Sequence, residues 1–242
     1  MLRAFAPILL TLAFTGCVAD NGGEGFTIIS NEYIAAGTTG CMLTASATGP
    51  FLSRGQISTL SPSGYLFTPV MQSNISTQSM ADLIQRTITL QGANIDLSVD
   101  ALTIGHADGT FTKATPPTLM GTDGKFLSQF SGSLPPDTIA ALSFEVVPVT
   151  TIAAIRQAAG AGAGDTIDAE VTATIKPFGT MGGDRVDGTP FKYPVSVCSN
   201  CIVHDIGACP AAATNKGNPC NVFQDGVVDC CESANGLLCP AQ

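Results

Sequence analysis

The chain has 242 residues, 45% of them hydrophobic and only 12% charged, with a formal net charge of −9 and no tryptophan. An acidic chain without a basic run excludes electrostatic binding to nucleic acid or to anionic lipid. Its 26 glycines and 15 prolines break every apolar run before it reaches the length of a transmembrane span.

Met1-Leu2-Arg3 is followed by the uncharged, apolar stretch Ala4–Phe14 and then by Thr15-Gly16-Cys17. One basic residue, a short apolar core and small residues before a cysteine make a secretory signal, too short to cross a bilayer as a stable helix. The ending resembles a bacterial lipobox, departing from it at Phe14, where the pattern prefers Leu. That resemblance implies a signal peptide over 1–16 and an acylated Cys17 carrying palmitate-type chains; the alternative is an ordinary signal peptide cleaved nearby. Cysteine counting agrees with the lipobox. Of nine cysteines, setting Cys17 aside leaves eight: Cys41, Cys198, Cys201, Cys209, Cys220, Cys230, Cys231 and Cys239. An even set in an oxidising compartment predicts four disulfides. Residues 17–25 read as the lipidated N-terminus and a flexible, glycine-rich tether. Val18 is not the acidic residue that favours inner-membrane retention, so the resemblance implies the outer membrane, with lipid rather than charge as the anchor.

From Phe26 the composition turns to Thr, Ser, Val and Ile punctuated by Gly and Pro. Predicted strands are Phe26–Ser30, Cys41–Ala47, Gln56–Leu60, Tyr65–Ser73, Arg86–Leu90, Ala93–Val99, Lys125–Phe130 and Ala140–Val149. Turn signals such as Ser61-Pro62-Ser63-Gly64, Asp108-Gly109 and Pro135-Pro136-Asp137 separate them. Short helices are predicted at Ser79–Gln85 and Thr151–Ala159, ahead of an Ala/Gly surface loop at Gly160–Gly164. Thr166–Lys176 then alternates without a break, placing Ile167, Ala169, Val171, Ala173 and Ile175 on one buried face and Asp168, Glu170, Thr172 and Thr174 in water. A glycine-rich turn leads into a second alternating run, Phe191–Val197, so the two make a hairpin that ends at Cys198. Many short alternating strands with this punctuation predict an all-β fold, an antiparallel β-sandwich of Ig-like or related type, over 26–197. It is either one elaborated sandwich or two packed β modules. The tail, 198–242, holds seven of the cysteines and few large apolar side chains, so it reads as a mostly irregular cap stapled by disulfides. Cys41 lies outside that tail, and an even set requires it to bond to a tail cysteine. Adjacent Cys230 and Cys231 bond elsewhere.

The leader, the Thr166–Ile175 strand, Phe191–Cys201 and the stretch Gln224-Asp225-Gly226-Val227-Val228-Asp229-Cys230-Cys231 together resemble lipoproteins of myxobacterial type, best over the last third. The resemblance implies a location and an architecture and no activity.

Candidate chemistry is sparse. Cys198-Ser199-Asn200-Cys201 has thioredoxin-like spacing, but a redox pair needs a thiolate stabilised at a helix N-terminus, and the residues that follow lack a helical pattern. The same cysteines with His204 have zinc-compatible spacing, against which stands the oxidising compartment. Asp225 and Asp229, with Asn221 upstream, make half of a calcium loop, short of the six to eight oxygens calcium needs. Asp168 and Glu170 share a strand face as a possible carboxylate pair, and His106 is expected on an exposed turn. No G-x-S-x-G elbow, phosphate loop or dinucleotide fingerprint is present, so no cofactor is expected. The sequence therefore describes a non-enzymatic envelope lipoprotein, structural, adhesive or partner-binding through other envelope proteins. Its rival is an envelope thiol–disulfide protein using Cys198 and Cys201.

Overall fold

A computed structural model of the chain describes residues 25–34, 41–76, 79–162, 164–199, 201–210, 213–234 and 236–240. The leader 1–16, the acylation candidate Cys17 and the tether up to residue 24 lie outside them. In chain order the first elements are β1 (Phe26–Asn31), β2 (Gly55–Ser58), β3 (Tyr65–Phe67), β4 (Pro69–Ser73), α1 (Met80–Gln85), β5 (Ile88–Gly105), β6 (Phe111–Lys113) and β7 (Lys125–Leu134). There follow β8 (Ile139–Ala141), β9 (Phe144–Val147), α2 (Val149–Ala159), β10 (Thr166–Met181), β11 (Asp184–Asp187), β12 (Phe191–Cys198), β13 (Val203–Ala208), β14 (Val228–Ser233) and β15 (Gly236–Leu238). Among the described residues no helix is long and apolar enough to cross a membrane.

The body is a β-sandwich. Its larger layer runs β2-β12-β10-β5-β6, with β11 continuing the β12 side of β10 and β7 continuing the β6 side of β5. The facing layer consists of β1-β4-β8 and the pair β3-β9. Phe26, Met71, Phe67 and Phe144 of this layer and Ile152 and Ile155 of α2 join Leu90, Ile95, Val171, Ile175 and Val195 of the large sheet in one buried cluster. Phe67 sits 4.9 Å from Tyr193 and 5.7 Å from Phe144 between ring centroids, filling the space between layers.

β10 is the central strand, paired to β5 along nearly its whole length and to β12 from Asp168 to Ile175. All five side chains read as its inner face are buried. Thr172, read as freely solvated, instead donates its hydroxyl to the carboxylate of Asp100. A bulge between Glu170 and Val171 leaves Asp100 as the extra residue of β5 and turns it toward Thr172. The tight turn from β10 into β11 uses Gly182 and Gly183, both at positive φ (61° and 99°), as a two-residue hairpin turn of the right hand demands.

Several expectations from sequence are corrected. The predicted strand Cys41–Ala47 does not form; Cys41 is bonded into the tail and the Thr44 N–H goes to the Glu32 carboxylate, so no neighbouring strand pairs with the segment. Tyr65–Ser73 is two strands in different sheets, broken at Thr68, whose N–H and hydroxyl both go to the side-chain oxygen of buried Asn31. Of the predicted strands Arg86–Leu90 and Ala93–Val99, all but Arg86 and Thr87 belong to one strand, β5, bulged at Gln91 against β10. The run Ala140–Val149 divides into β8 and β9, and Pro148 then starts α2. The pairing is antiparallel as expected, except that β2 joins β12, and β13 joins β14, in parallel. Within the mostly irregular tail, β13-β14-β15 add a small sheet around buried Val228, Cys230 and Cys231.

Candidate functional site

Four disulfides join Cys41 to Cys220, Cys198 to Cys201, Cys209 to Cys231 and Cys230 to Cys239. Cys41 is tied to the tail, and adjacent Cys230 and Cys231 leave in different directions, as the sequence requires. The pairing removes the thiolates a zinc site would use. His204 Nδ1 lies 2.9 Å from Asp229 Oδ1 instead of near any cysteine ligand set. Among the described residues no three His, Cys, Asp or Glu side chains gather as a metal site.

The calcium candidates have other partners. Asp229 is buried on β14 and accepts the N–H groups of Thr214 and Asn215 (both 2.7 Å), the Asn215 amide (3.0 Å) and His204. These hydrogen bonds, the Asn215 backbone N–H foremost, hold its carboxyl well below the usual range. Asn221 gives its amide to the Gly64 carbonyl at 3.0 Å. Asp225 faces the sandwich and bonds Gln56, Tyr65 and Gln224.

Asp225 belongs to a buried polar network at the cap–body junction. Residues 223–225 complete the exposed edge of β2: Ser58 N–H donates to the Phe223 carbonyl, and Asp225 N–H donates to the Gln56 carbonyl, each at 3.0 Å. The Gln224 side chain acts as a further strand residue, accepting Leu66 N–H at 2.8 Å and donating to the Leu66 carbonyl at 2.6 Å. Asp225 Oδ1 accepts Gln56 N–H at 2.8 Å; its Oδ2 accepts the Tyr65 hydroxyl at 2.8 Å and the Gln224 amide at 3.0 Å. Behind Tyr65, the Tyr193 hydroxyl lies 3.3 Å away, and the Asn31 amide donates to Tyr193 at 2.6 Å. Burial, reinforced by the Asp225 charge, raises the Tyr65 phenol well above its usual range. Burial pushes Asp225 itself up to about 6, against the opposing hydrogen bond from Gln56. Sequence reading missed Asn31, Tyr65, Tyr193 and Gln224 as a unit. The available signal was a polar tip on each strand tyrosine, which must find a partner when buried.

The remaining candidates each have partners of their own. His106 is half-buried, not on a free turn: Nδ1 lies 3.3 Å from Asp165 Oδ2 and Nε2 lies 2.9 Å from Thr112 Oγ1. Asp165, His106 and Thr112 thus stand in the order of a hydrolytic relay. Asp165 also accepts Gly162 N–H (2.9 Å) and Ala107 N–H (3.3 Å), so it pins the β5–β6 hairpin to the loop before β10. An open cleft of about 520 Å³ is lined by Asp165, Arg156, Thr59 and Ser199 among others, while His106 and Thr112 lie outside its lining. Asp168 and Glu170 line one cleft of about 380 Å³, where each has its own partner: Asp168 accepts the Ser196 hydroxyl at 3.2 Å, and Glu170 is bound by Arg54. Cys201 is exposed while Cys198 is buried, and β13 rather than a helix follows. No protein-family model matches the chain, and no curated protein and no solved structure matches it.

Proposed function

We propose that this chain is an outer-membrane lipoprotein, acylated on Cys17 and serving as a non-enzymatic, partner-binding module of the envelope. One observation carries the reading. The four disulfides consume eight of the nine cysteines and leave over Cys17, the residue that closes the lipobox-like leader. Four disulfides also fit an oxidising compartment, and a diacyl anchor with an acylated amine exceeds the two signals stable membrane attachment needs. The test is Cys17→Ser. The variant should remain an unprocessed precursor or become a soluble product, losing metabolic palmitate label and leaving the detergent phase. Partitioning and labelling equal to wild type would defeat the reading.

A second reading, a thiol–disulfide protein, is favoured by one feature: Cys198 and Cys201 are bonded to each other, with Cys201 exposed to an incoming dithiol. Against it, no helix N-terminus follows to stabilise a thiolate. Alkylation after graded reduction of folded protein separates the two. A redox protein yields this pair at reductant levels that leave the other three bonds intact; a structural cap does not.

A further inference from the structure

We propose that Gln224 and Asp225 form a proton-sensitive latch that docks the cysteine-rich cap onto the open edge of the sandwich, and that the latch closes more tightly in mildly acidic than in neutral surroundings. The geometry is that of a docking device. A three-residue segment of the cap supplies the missing edge partner of β2, and two adjacent side chains enter the body beside it. Asp225 holds a positive φ of 52°, a conformation a non-glycine residue adopts only where its surroundings fix it, and this turns its carboxylate inward.

The carboxylate enters a site built for a neutral group. The titratable and charged neighbours are Tyr65 on β3, Tyr193 on β12, Tyr33 and Lys216 around the adjoining groove of about 290 Å³, and Arg54 before β2. Arg54 is engaged with Glu170. Neither histidine takes part, since His106 bonds Asp165 and His204 bonds Asp229. Among the described residues Asp225 has three hydrogen-bond donors and no ion-pair partner. Burying an unpaired carboxylate disfavours its ionised form. Protonation keeps the same number of hydrogen bonds. A proton on Oδ2 can be donated to the Tyr65 hydroxyl, which turns to donate to Tyr193, and the Tyr193 hydroxyl proton turns away from Tyr65.

The direction in pH follows. Docking raises the carboxyl from its ordinary 3.8 to about 6, so the docked form binds the proton more tightly than the released form. Docking is strongest below about pH 4, weakens as the pH rises through 6, and is level above. Across that interval the docking equilibrium changes by roughly a hundredfold. The Cys41–Cys220 and Cys198–Cys201 bonds keep the cap tethered in either state, so release is a local opening around residues 221–226.

The test uses the full-length protein in detergent micelles. Amide hydrogen exchange at Gln56, Ser58 and Leu66, corrected for intrinsic rates, is followed from pH 4.5 to 8, together with the carbon-13 shift of the Asp225 carboxyl. Protection should fall by roughly tens-fold across this range, nearly all of it below pH 6 and level above, and the carboxyl of the docked form should titrate near 6. Asp225→Asn should keep protection high and level at neutral pH, while Asp96→Asn, an exposed partner of Lys125, should retain the wild-type profile. Protection independent of pH, or a pH profile that persists in Asp225→Asn, would overturn the proposal. If Asp225→Asn does not fold, the wild-type titration decides: an inflection near 4 sinks the latch, and one near 6, the pH above which protection levels off, upholds it.

Discussion

Asn31 shows how one side chain can set a junction. It is 1% exposed, and its amide donates to both Tyr193 and Tyr65 while its oxygen accepts the N–H and hydroxyl of Thr68. Asn31→Ala leaves the Thr68 N–H and two buried phenols short of partners. Unsatisfied buried groups cost about 1–3 kcal/mol each, partly relieved by water. We expect a loss of about 2–4 kcal/mol in urea unfolding; a loss below about 0.5 kcal/mol would show that the network is not closed as described. None of this was legible in the sequence. Asn31 ends a strand and reads as a turn residue, and its partners lie 34, 37 and 162 positions away. Local pattern carries no information over that separation.

At the scale of the strand the sequence was far more informative, because period-two alternation reports burial directly. Thr166–Lys176 placed Val171 at the centre of the inner face, and there it is fully buried between β5 and β12. Val171→Asp buries an unpaired carboxylate and should cost several kcal/mol, enough to prevent folding. Thr172 points the other way, yet it is not silent. Thr172→Asp sets a carboxylate against Asp100 and should cost up to about 1 kcal/mol, while Thr172→Val, losing one exposed hydrogen bond, should cost less. Thermal unfolding should rank the three in that order, and equal losses at 171 and 172 would mean the register is wrong. Where alternation lapsed, so did the reading. The bulge at Gln91 cut β5 into two apparent strands, and the break at Thr68 is invisible until Asn31 is seen to capture its backbone.

For the whole molecule, the sequence reached a count but not a wiring diagram. An odd number of cysteines with one in a leader position implied a fully paired set, and the solitary position of Cys41 implied a bond from body to tail. Which tail cysteine it met depends on distances that no spacing encodes. The observed wiring gives the four bonds unequal weight. In the loop-entropy model the stabilisation grows with the logarithm of the closed loop, so Cys41–Cys220, separated by 179 residues, is worth about 5 kcal/mol as an upper figure. Cys198–Cys201, separated by three, is worth under about 2 kcal/mol on the same scale. Cys41–Cys220 also leads directly into Asn221–Asp225, so its loss frees the segment that covers β2 as well as the chain ends. The double variant Cys41→Ser/Cys220→Ser should therefore lower the melting temperature far more than Cys198→Ser/Cys201→Ser, and should raise hydrogen exchange at Ser58 and Leu66. Substituting both partners avoids a free thiol that could mispair with the tail. Peptide mapping of unreduced wild type should recover the Cys41 and Cys220 peptides joined. If the two double variants melt alike, the cap is held by its own small sheet and the polar junction, and the long cross-link is dispensable.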